Sequence, residues 1–170
     1  MPFQVAVCGP RDCTDQDSAN AHEVGRLLAA AGAVVICGGG TGVMASVAAG
    51  ARSEGGLVVG IRPGDSSREA NPDLSAVVVT NMGEARNAVI VWSADAVIAI
   101  GGSWGTLSEV ALAKRRGGIP VVTIGGWRVL DSDGVELPDP VTRAADPAEA
   151  VAIVLGFSAD ENGKNPDSRW

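Results

Sequence analysis

The 170-residue chain is 46% hydrophobic and 19% charged, with a formal net charge of −7. This length fits one domain that buries a core without disulfides, and the acidic balance disfavours a general nucleic-acid or membrane binder. The apolar runs are shorter than the roughly 18 residues of a membrane span, and the amino terminus lacks a signal-peptide pattern. Three cysteines without disulfide or metal-ligand spacing and a single histidine predict a reduced, cytoplasmic protein with no metal site.

Short apolar runs alternate with helix-length amphipathic stretches along the chain. Because polar residues do not alternate within these runs, the pattern predicts strands that are buried on both faces of a parallel sheet. The expected fold is α/β, a Rossmann-like, doubly wound parallel sheet between two helical layers. It forms one domain over residues 1–158, and residues 159–170 are predicted to be a flexible tail. The six predicted strands span residues 5–8, 34–37, 57–59, 77–79, 96–100 and 121–124.

Local signals predict the ends of two helices. Thr106 and Glu109 have the spacing of a capping box, so a helix is expected to begin at Thr106 with Glu109 as its reciprocal cap. Three basic residues and then two glycines, at 114–118, end this helix as its negative terminus favours. Asp146 before Pro147 predicts the N-cap of the last helix.

Two glycine-rich turns lie where parallel α/β sheets bind ligands, at the carboxyl ends of strands. Residues 38–42 follow the second strand and residues 101–106 follow the fifth, and each turn leads directly into a helix. Helix N-termini suit a phosphate, although glycines also simply permit tight turns. Neither turn matches a P-loop or the usual NAD-binding fingerprint. The predicted binding residues are Gly9, Arg11, Gly38, Gly39, Gly40, Thr41, Gly42, Gly102, Ser103, Trp104, Gly105 and Thr106.

Two further charged residues, Arg86 and Glu109, are candidates for contact with the ligand. Glu109 either caps its helix or, because a phosphate would repel its carboxylate, faces another part of the ligand such as ribose hydroxyls. Arg86 is an isolated cation in an otherwise apolar segment. That setting favours a charge partner for the ligand or for Glu109 over a solvated helix residue.

The aromatic and thiol side chains have simpler expected places. Trp104 is expected to stack on a base or to pack against another subunit. Trp92 and Trp127 are expected in the core or at an interface. Cys8 and Cys37 end strands, where cysteine usually acts as a small buried hydrophobe.

The two glycine turns resemble motifs of one known family. Residues 37–44, Cys-Gly-Gly-Gly-Thr-Gly-Val-Met, resemble the GGGxxGLMG motif of the LONELY GUY-type phosphoribohydrolases, once called lysine decarboxylase-like proteins. Residues 101–109 resemble their PGGxGTxxE motif, and the resemblance extends over residues 4–155. It implies a Rossmann-like homodimer that removes the base from a nucleoside 5′-monophosphate. Both turns would hold phosphate, and Arg86 and Glu109 would form the catalytic pair.

Several positions depart from these motifs. Cys37 stands in place of the first glycine of the first motif. In the second motif Gly101 replaces the proline and Ser103 replaces the second glycine, and elsewhere Asn87 replaces the lysine that follows the family's arginine. The departures resemble a sister branch that includes the molybdenum cofactor carrier proteins. Carriers bind a pterin phosphate and release it unchanged, and they form oligomers larger than dimers.

The favoured interpretation is therefore a carrier-like protein that binds a phosphorylated nucleotide or pterin. It requires no cofactor, and the expected bound species are phosphate, nucleotide or molybdopterin. The alternative is a phosphoribohydrolase that uses Arg86 and Glu109, whereas the acidic charge argues against a DNA-processing relative. A homodimer or homotetramer is expected through helices bearing residues such as Trp92, with neither a nucleic-acid nor a membrane partner.

Overall fold

The computed structural model of the protein describes residues 1–161, with side chains through residue 156. Seven parallel strands form a single sheet, so the predicted α/β, Rossmann-like fold class is confirmed. The strands are β1 (Gln4–Cys8), β2 (Val34–Cys37), β3 (Val58–Arg62), β4 (Ala76–Val79), β5 (Ala96–Ile100), β6 (Val121–Ile124) and β7 (Thr142–Ala144).

The expected number of six strands is wrong because β7 lies at an edge of the sheet. Thr142 and Arg143 are exposed and Ala144 alone in this strand is buried. A three-residue strand with one buried side chain leaves no apolar run, so the pattern that reveals buried strands does not detect it.

Five helices cover the two faces of the sheet. The first, second and fifth helices share one hydrophobic core with alternate strand residues, and the third and fourth share the other. A short 3-10 turn at Gly83–Ala85 precedes the third helix. Within the described residues, none of the helices has the length and apolar character that a membrane span requires. The helices are α1 (Asp15–Ala30), α2 (Val43–Ser53), α3 (Arg86–Trp92), α4 (Trp104–Arg116) and α5 (Pro147–Glu161).

The order of the strands reverses beside the central strand, at a point called the β1/β5 crevice below. The strand order in the sheet is β4-β3-β2-β1-β5-β6-β7. Strands β2 to β4 are therefore added on one side of β1, and strands β5 to β7 are added on the other side. Cys8 at the end of β1 pairs with Ala99 of β5. Open α/β sheets generally bind ligands beyond the carboxyl ends of the strands, at the point where the strand order reverses. In this sheet that point is the β1/β5 crevice.

Helix α4 begins two residues earlier than the capping box predicts. Ser103 is its N-cap and accepts a hydrogen bond from the Thr106 amide at 3.1 Å. Thr106 therefore lies inside the first turn and Glu109 in the second, so Glu109 is not a helix cap. The capping-box spacing predicted the wrong start for α4 because a capping box is recognised by Glu or Gln three residues after the N-cap. Ser103, the actual N-cap, is followed at that position by Thr106.

The other predicted helix ends agree better with the structure. The Glu149 amide donates to Asp146 Oδ1 at 2.9 Å, as expected of an N-cap, and α4 ends at Arg116 with Gly117, at φ of 68°, as its C-cap. Helix α5 continues to Glu161, past residue 159 where the tail is predicted to begin. Residues 162–170 of that tail lie outside the described residues.

Helices α1 and α2 cross in direct backbone contact. A Cβ on Gly50 of α2 would overlap the His22 carbonyl oxygen and lie 2.7 Å from its carbon. A Cβ on Gly25 of α1 would likewise overlap the Val47 carbonyl oxygen and lie 2.9 Å from the Ala51 nitrogen. Glycine at both positions thus sets how closely α2 can pack, and α2 follows the first glycine-rich turn.

Replacing Gly50 by alanine is expected to lower the free energy of unfolding by about 1–3 kcal/mol, since the new methyl group requires the helices to separate. At an open helical position the same change stabilises a protein by up to about 1 kcal/mol. Gly156 in α5 is such a position, because nothing lies within 4 Å of a Cβ there. Urea unfolding of Gly50→Ala, Gly156→Ala and the wild type measures the difference. Equal stabilisation by both changes would contradict the close crossing.

Candidate functional site

Three loops meet at the β1/β5 crevice, and glycines allow them to touch. The Val43 amide donates to the Pro10 carbonyl at 3.1 Å, which joins the loop after β1 to the start of α2. A Cβ on Gly42 would overlap the Arg11 carbonyl oxygen. A Cβ on Gly9 would lie 2.8 Å from the Ile100 carbonyl oxygen of β5. Side chains at Gly9 and Gly42 would force the loops apart, so glycine there is needed to assemble the crevice.

The helix that follows the second glycine turn presents free amides at its amino end. The Ser103 hydroxyl accepts from the Thr106 amide, whereas the amides of Trp104 and Gly105 have no acceptor among the described residues. Helix α2 starts after Gly42, which has no side chain to cap it. Both helix ends therefore offer N–H groups and a positive dipole to an anion.

Arg86, the first residue of α3, is buried against the first glycine turn. It is 6% exposed, and its Nη1 donates to the Ile61 carbonyl at 2.7 Å. Its Nε has no partner within the described part of the chain. A Cβ on Gly38 would overlap Nη1 and lie 2.7 Å from Met44 Sδ, so the glycine turn and the guanidinium fit only because residue 38 is glycine. Burial lowers the pKa of Arg86, and the charge of Glu109 opposes that shift.

Glu109 faces the same space from α4. It is 8% exposed, and burial raises the pKa of its carboxyl group to about 7, against the opposing effects of the Arg86 charge and a hydrogen bond with the Cys8 thiol. The ion pairs of the described residues do not include one between Glu109 and Arg86. A buried cation and a buried acid thus sit near each other without neutralising one another through direct contact.

Cys8 is a site residue that the sequence interpretation missed. It is buried as expected, but it lies with Ala6 on the α3/α4 side of the sheet, where burial and Glu109 raise the pKa of its thiol. Cys37 faces the opposite core, so these two strand-end thiols point away from each other. Alternation along β1 could have indicated this side, but only the packing of α4 shows that Glu109 meets Cys8.

The second glycine turn is held between two neighbouring segments. Gly101 has φ of 66°, and a Cβ there would lie 3.0 Å from the Asp17 carboxylate. A Cβ on Gly126 would overlap the Gly101 carbonyl oxygen, and one on Gly102 would lie 2.7 Å from Trp127 Cδ1. Proline requires φ near about −65°, so this backbone explains why glycine stands in place of the motif's proline.

Two tryptophans flank this turn at the surface. Trp104 is 78% exposed, Trp127 is 46% exposed, and their rings meet edge to face with centroids 5.0 Å apart. Trp92 on α3 is also exposed, with the Arg116 guanidinium 5.0 Å from its ring centroid. None of these three side chains lies in the core.

The remaining predicted residues lie at the mouth of the crevice or beside it. Arg11 and Thr41 are exposed, and the Arg11 Nε would lie 3.9 Å from a Cβ on Gly40. Asn87, absent from the predicted site, is buried and donates to the Ser108 hydroxyl at 3.0 Å. Its Oδ1 has no partner among the described residues. In that same part of the chain, no cluster of three His, Cys, Asp or Glu side chains could hold a metal ion.

Comparison with known proteins agrees with this architecture. The sequence profile of the SLOG cluster4 family matches residues 2–151. An uncharacterized protein of Archaeoglobus fulgidus is 42% identical over 136 residues, which is 76% of this chain and 89% of that protein.

Two solved structures share both the fold and part of the sequence. The molybdenum cofactor binding protein of Rippkaea orientalis superposes with a TM-score of 0.82 at 31% identity, covering 93% of this chain and 98% of that chain. The molybdenum cofactor carrier protein of Chlamydomonas reinhardtii superposes with a TM-score of 0.77 at 30% identity, covering 94% and 99%. The resemblance to the carrier branch, which the departures from the glycine motifs indicated, is confirmed.

The raised pKa of Glu109 predicts a pH-dependent stability. Between pH 4.5, its ordinary pKa, and about pH 7, its pKa in the folded protein, the native state keeps a proton that the unfolded chain releases. The free energy of unfolding therefore falls as the pH rises through this window, by up to about 3 kcal/mol. Glu109→Gln removes the titrating group, so urea unfolding at several pH values should give a flatter profile for this variant. Glu69→Gln, an exposed loop change, should run parallel to the wild type, and a parallel Glu109→Gln profile would refute the raised pKa.

Proposed function

We propose that this chain, which belongs to the SLOG cluster4 family, binds a small phosphorylated ligand in the β1/β5 crevice and acts as a carrier. The observation on which the proposal depends is the buried Arg86 beneath the first glycine turn, with an unpartnered Nε. A buried guanidinium nitrogen without an acceptor is costly unless an anion completes its hydrogen bonds. A phosphate supplies such an acceptor.

The phosphate is proposed to lie at the amino end of α4. The free amides of Trp104 and Gly105 point out of that helix end, and the Thr106 hydroxyl lies 2.9 Å from the Ser103 hydroxyl beside them. No carboxylate belongs to the first turn of α4, so the helix itself places no negative charge beside these amides. The first glycine turn, residues 38–42, forms the facing wall.

Glu109 is proposed to contact the uncharged part of the ligand. With a pKa of about 7, its carboxyl group is protonated in part at neutral pH and can donate to, or accept from, a ring edge or a hydroxyl group. This property suits both a pterin and a ribose. The structural neighbours named as molybdenum cofactor proteins support the pterin phosphate, and a nucleotide has the same combination of phosphate, hydroxyls and ring.

The second candidate function is a phosphoribohydrolase, which the state of Glu109 favours. It does not cap α4, and an acid with a pKa near the operating pH is suited to proton transfer. In this reaction the N-glycosidic bond of a nucleoside 5′-monophosphate breaks and a water oxygen bonds to C1′ of the ribose. Glu109 accepts a proton from that water and afterwards releases it to solvent, the departing base takes up one proton from solvent, and Arg86 balances negative charge.

Base release separates the two functions. AMP, GMP and isopentenyladenosine monophosphate are incubated with the wild type and with Glu109→Gln, and free base is measured by chromatography. A carrier is expected to release no base while a nucleotide or pterin phosphate raises its melting temperature by several degrees at ligand concentrations about 100 times Kd. Base release that disappears in Glu109→Gln would establish the hydrolase. If the wild type shows no base release and no thermal stabilisation by any of these ligands, ligand binding at this site is refuted.

Gly38→Ala tests whether Arg86 contacts the phosphate. The added methyl group displaces the guanidinium, so the affinity for a phosphorylated ligand should fall by about tenfold or more, as expected when a charged hydrogen bond is lost. Gly64→Ala is the matched control, because nothing lies within 4 Å of a Cβ at that loop position. Isothermal titration calorimetry measures both variants. Unchanged affinity in Gly38→Ala would exclude Arg86 from the binding site.

A further inference from the structure

A cavity of about 570 Å³ lies on the far side of α4 from Arg86. It is bounded by α4, by β6, and by the connection between β6 and β7 (residues 125–141), and it is partly open to solvent. Binding sites for small molecules usually have volumes of about 300–1,000 Å³. The cavity touches Gly102 and Thr106 on the outer side of the second glycine turn, whereas the β1/β5 crevice lies on the inner side.

The topology of the chain explains why this space is open. The connection between β6 and β7 contains one isolated bridge, Leu130 with Glu136, and no helix. Helix α4 is therefore the last helix on its face of the sheet, and beyond α4 the sheet is covered by the extended connection between β6 and β7. Ala99 and Thr123, paired neighbours on β5 and β6, form the floor, and their small side chains leave the volume unfilled.

Thr123 supplies a polar group at this floor. It is 9% exposed, and its hydroxyl has no hydrogen-bond partner among the described residues. Val122 and Ile124 belong to the opposite core, so Thr123 points toward the cavity side of the sheet. Rotation about its Cα–Cβ bond exchanges hydroxyl and methyl group and brings the hydroxyl to the cavity surface.

The cavity lining has a net positive charge, whereas the whole chain has a net negative charge. The chain has 13 Lys and Arg against 20 Asp and Glu, yet the cavity lining has four cations and two carboxylates. Both carboxylates are already paired, Asp139 with Lys114 at 2.5 Å and Glu136 with Arg128 at 2.6 Å. Arg115 and Arg143 form no ion pair in the part of the chain that the structure describes.

The walls between these charges are apolar. Leu107 and Val110 of α4 form one wall, and Trp127, Val129 and Leu137 form the other. Apolar walls with a few polar groups and a net positive rim are complementary to an aromatic or aliphatic body that bears one negative group.

From these features, we propose that the cavity is a second binding site, separate from the β1/β5 crevice, for a small organic anion with an apolar body. The body lies between Leu107 and Trp127 above Thr123, and the anionic group lies at the rim beside Arg115 and Arg143. The proposal does not depend on which ligand, if any, occupies the crevice.

The test uses the fluorescent anion 8-anilinonaphthalene-1-sulfonate and its neutral counterpart N-phenyl-1-naphthylamine. Ala111 lines the cavity and is exposed on α4, so Ala111→Trp fills the space without entering the core. Ala19→Trp, an exposed position on α1 across the sheet, is the matched control. We expect saturable binding of the sulfonate by the wild type and by Ala19→Trp, and at least about tenfold weaker binding by Ala111→Trp.

Charge recognition is tested in the double variant Arg115→Gln/Arg143→Gln. It should bind the sulfonate about three- to tenfold more weakly while its affinity for the neutral probe is unchanged. Equal binding by Ala111→Trp and the wild type would show that the probe binds elsewhere and would overturn the proposal. Sedimentation velocity tests whether a second copy of the chain, rather than a small anion, occupies the cavity. Absence of probe binding, together with an oligomer that Ala111→Trp dissociates, would show that a second copy of the chain covers the cavity instead.

Discussion

Backbone contact between loops, possible only where side chains are absent, holds together the loops at the carboxyl edge of the sheet. Gly9 and Gly42 let the loop after β1 touch both of its neighbours, and Gly38 lets a guanidinium lie against the first turn. Because each contact occupies space that a Cβ would need, the turns, the crevice and the buried Arg86 are geometrically linked. The high glycine content, 23 of 170 residues, is thus partly a requirement of the site rather than of the turns alone.

The buried charges have an energetic consequence. Arg86 and Glu109 are both desolvated, and burial lowers the pKa of the first and raises that of the second. A direct ion pair would reduce the cost of desolvation for both side chains, yet the ion pairs of the described residues do not include one between them. An arrangement that costs stability and leaves hydrogen-bonding capacity unused is typical of binding and catalytic sites. A carrier and a hydrolase would both benefit from it, and the fate of the glycosidic bond distinguishes them.

Sequence patterns were reliable where they reflected burial and unreliable where they depended on local competition. All six apolar runs became strands, and five of them are largely buried, because a strand that is covered on both faces needs no polar alternation. The exception is β4 at the edge of the sheet, where Val78 and Val79 are exposed, and β7, with one buried residue, escaped notice. The capping-box spacing at Thr106 pointed to the wrong helix start because Ser103 caps α4 instead. That error gave Glu109 a structural role that the folded chain does not assign to it.

The sequence by itself determined the fold class, the two glycine turns at helix starts, and the membership that their motifs indicate, because periodicity and motif spacing are properties of neighbouring residues. The tertiary structure alone decided that Cys8 meets Glu109, that Gly101 lies against Asp17 in a backbone conformation closed to proline, and that a cavity opens beyond α4. Each of these depends on residues that are distant in the chain and are brought together by the order of strands in the sheet. No local pattern encodes that order or the space left over when a crossover lacks a helix.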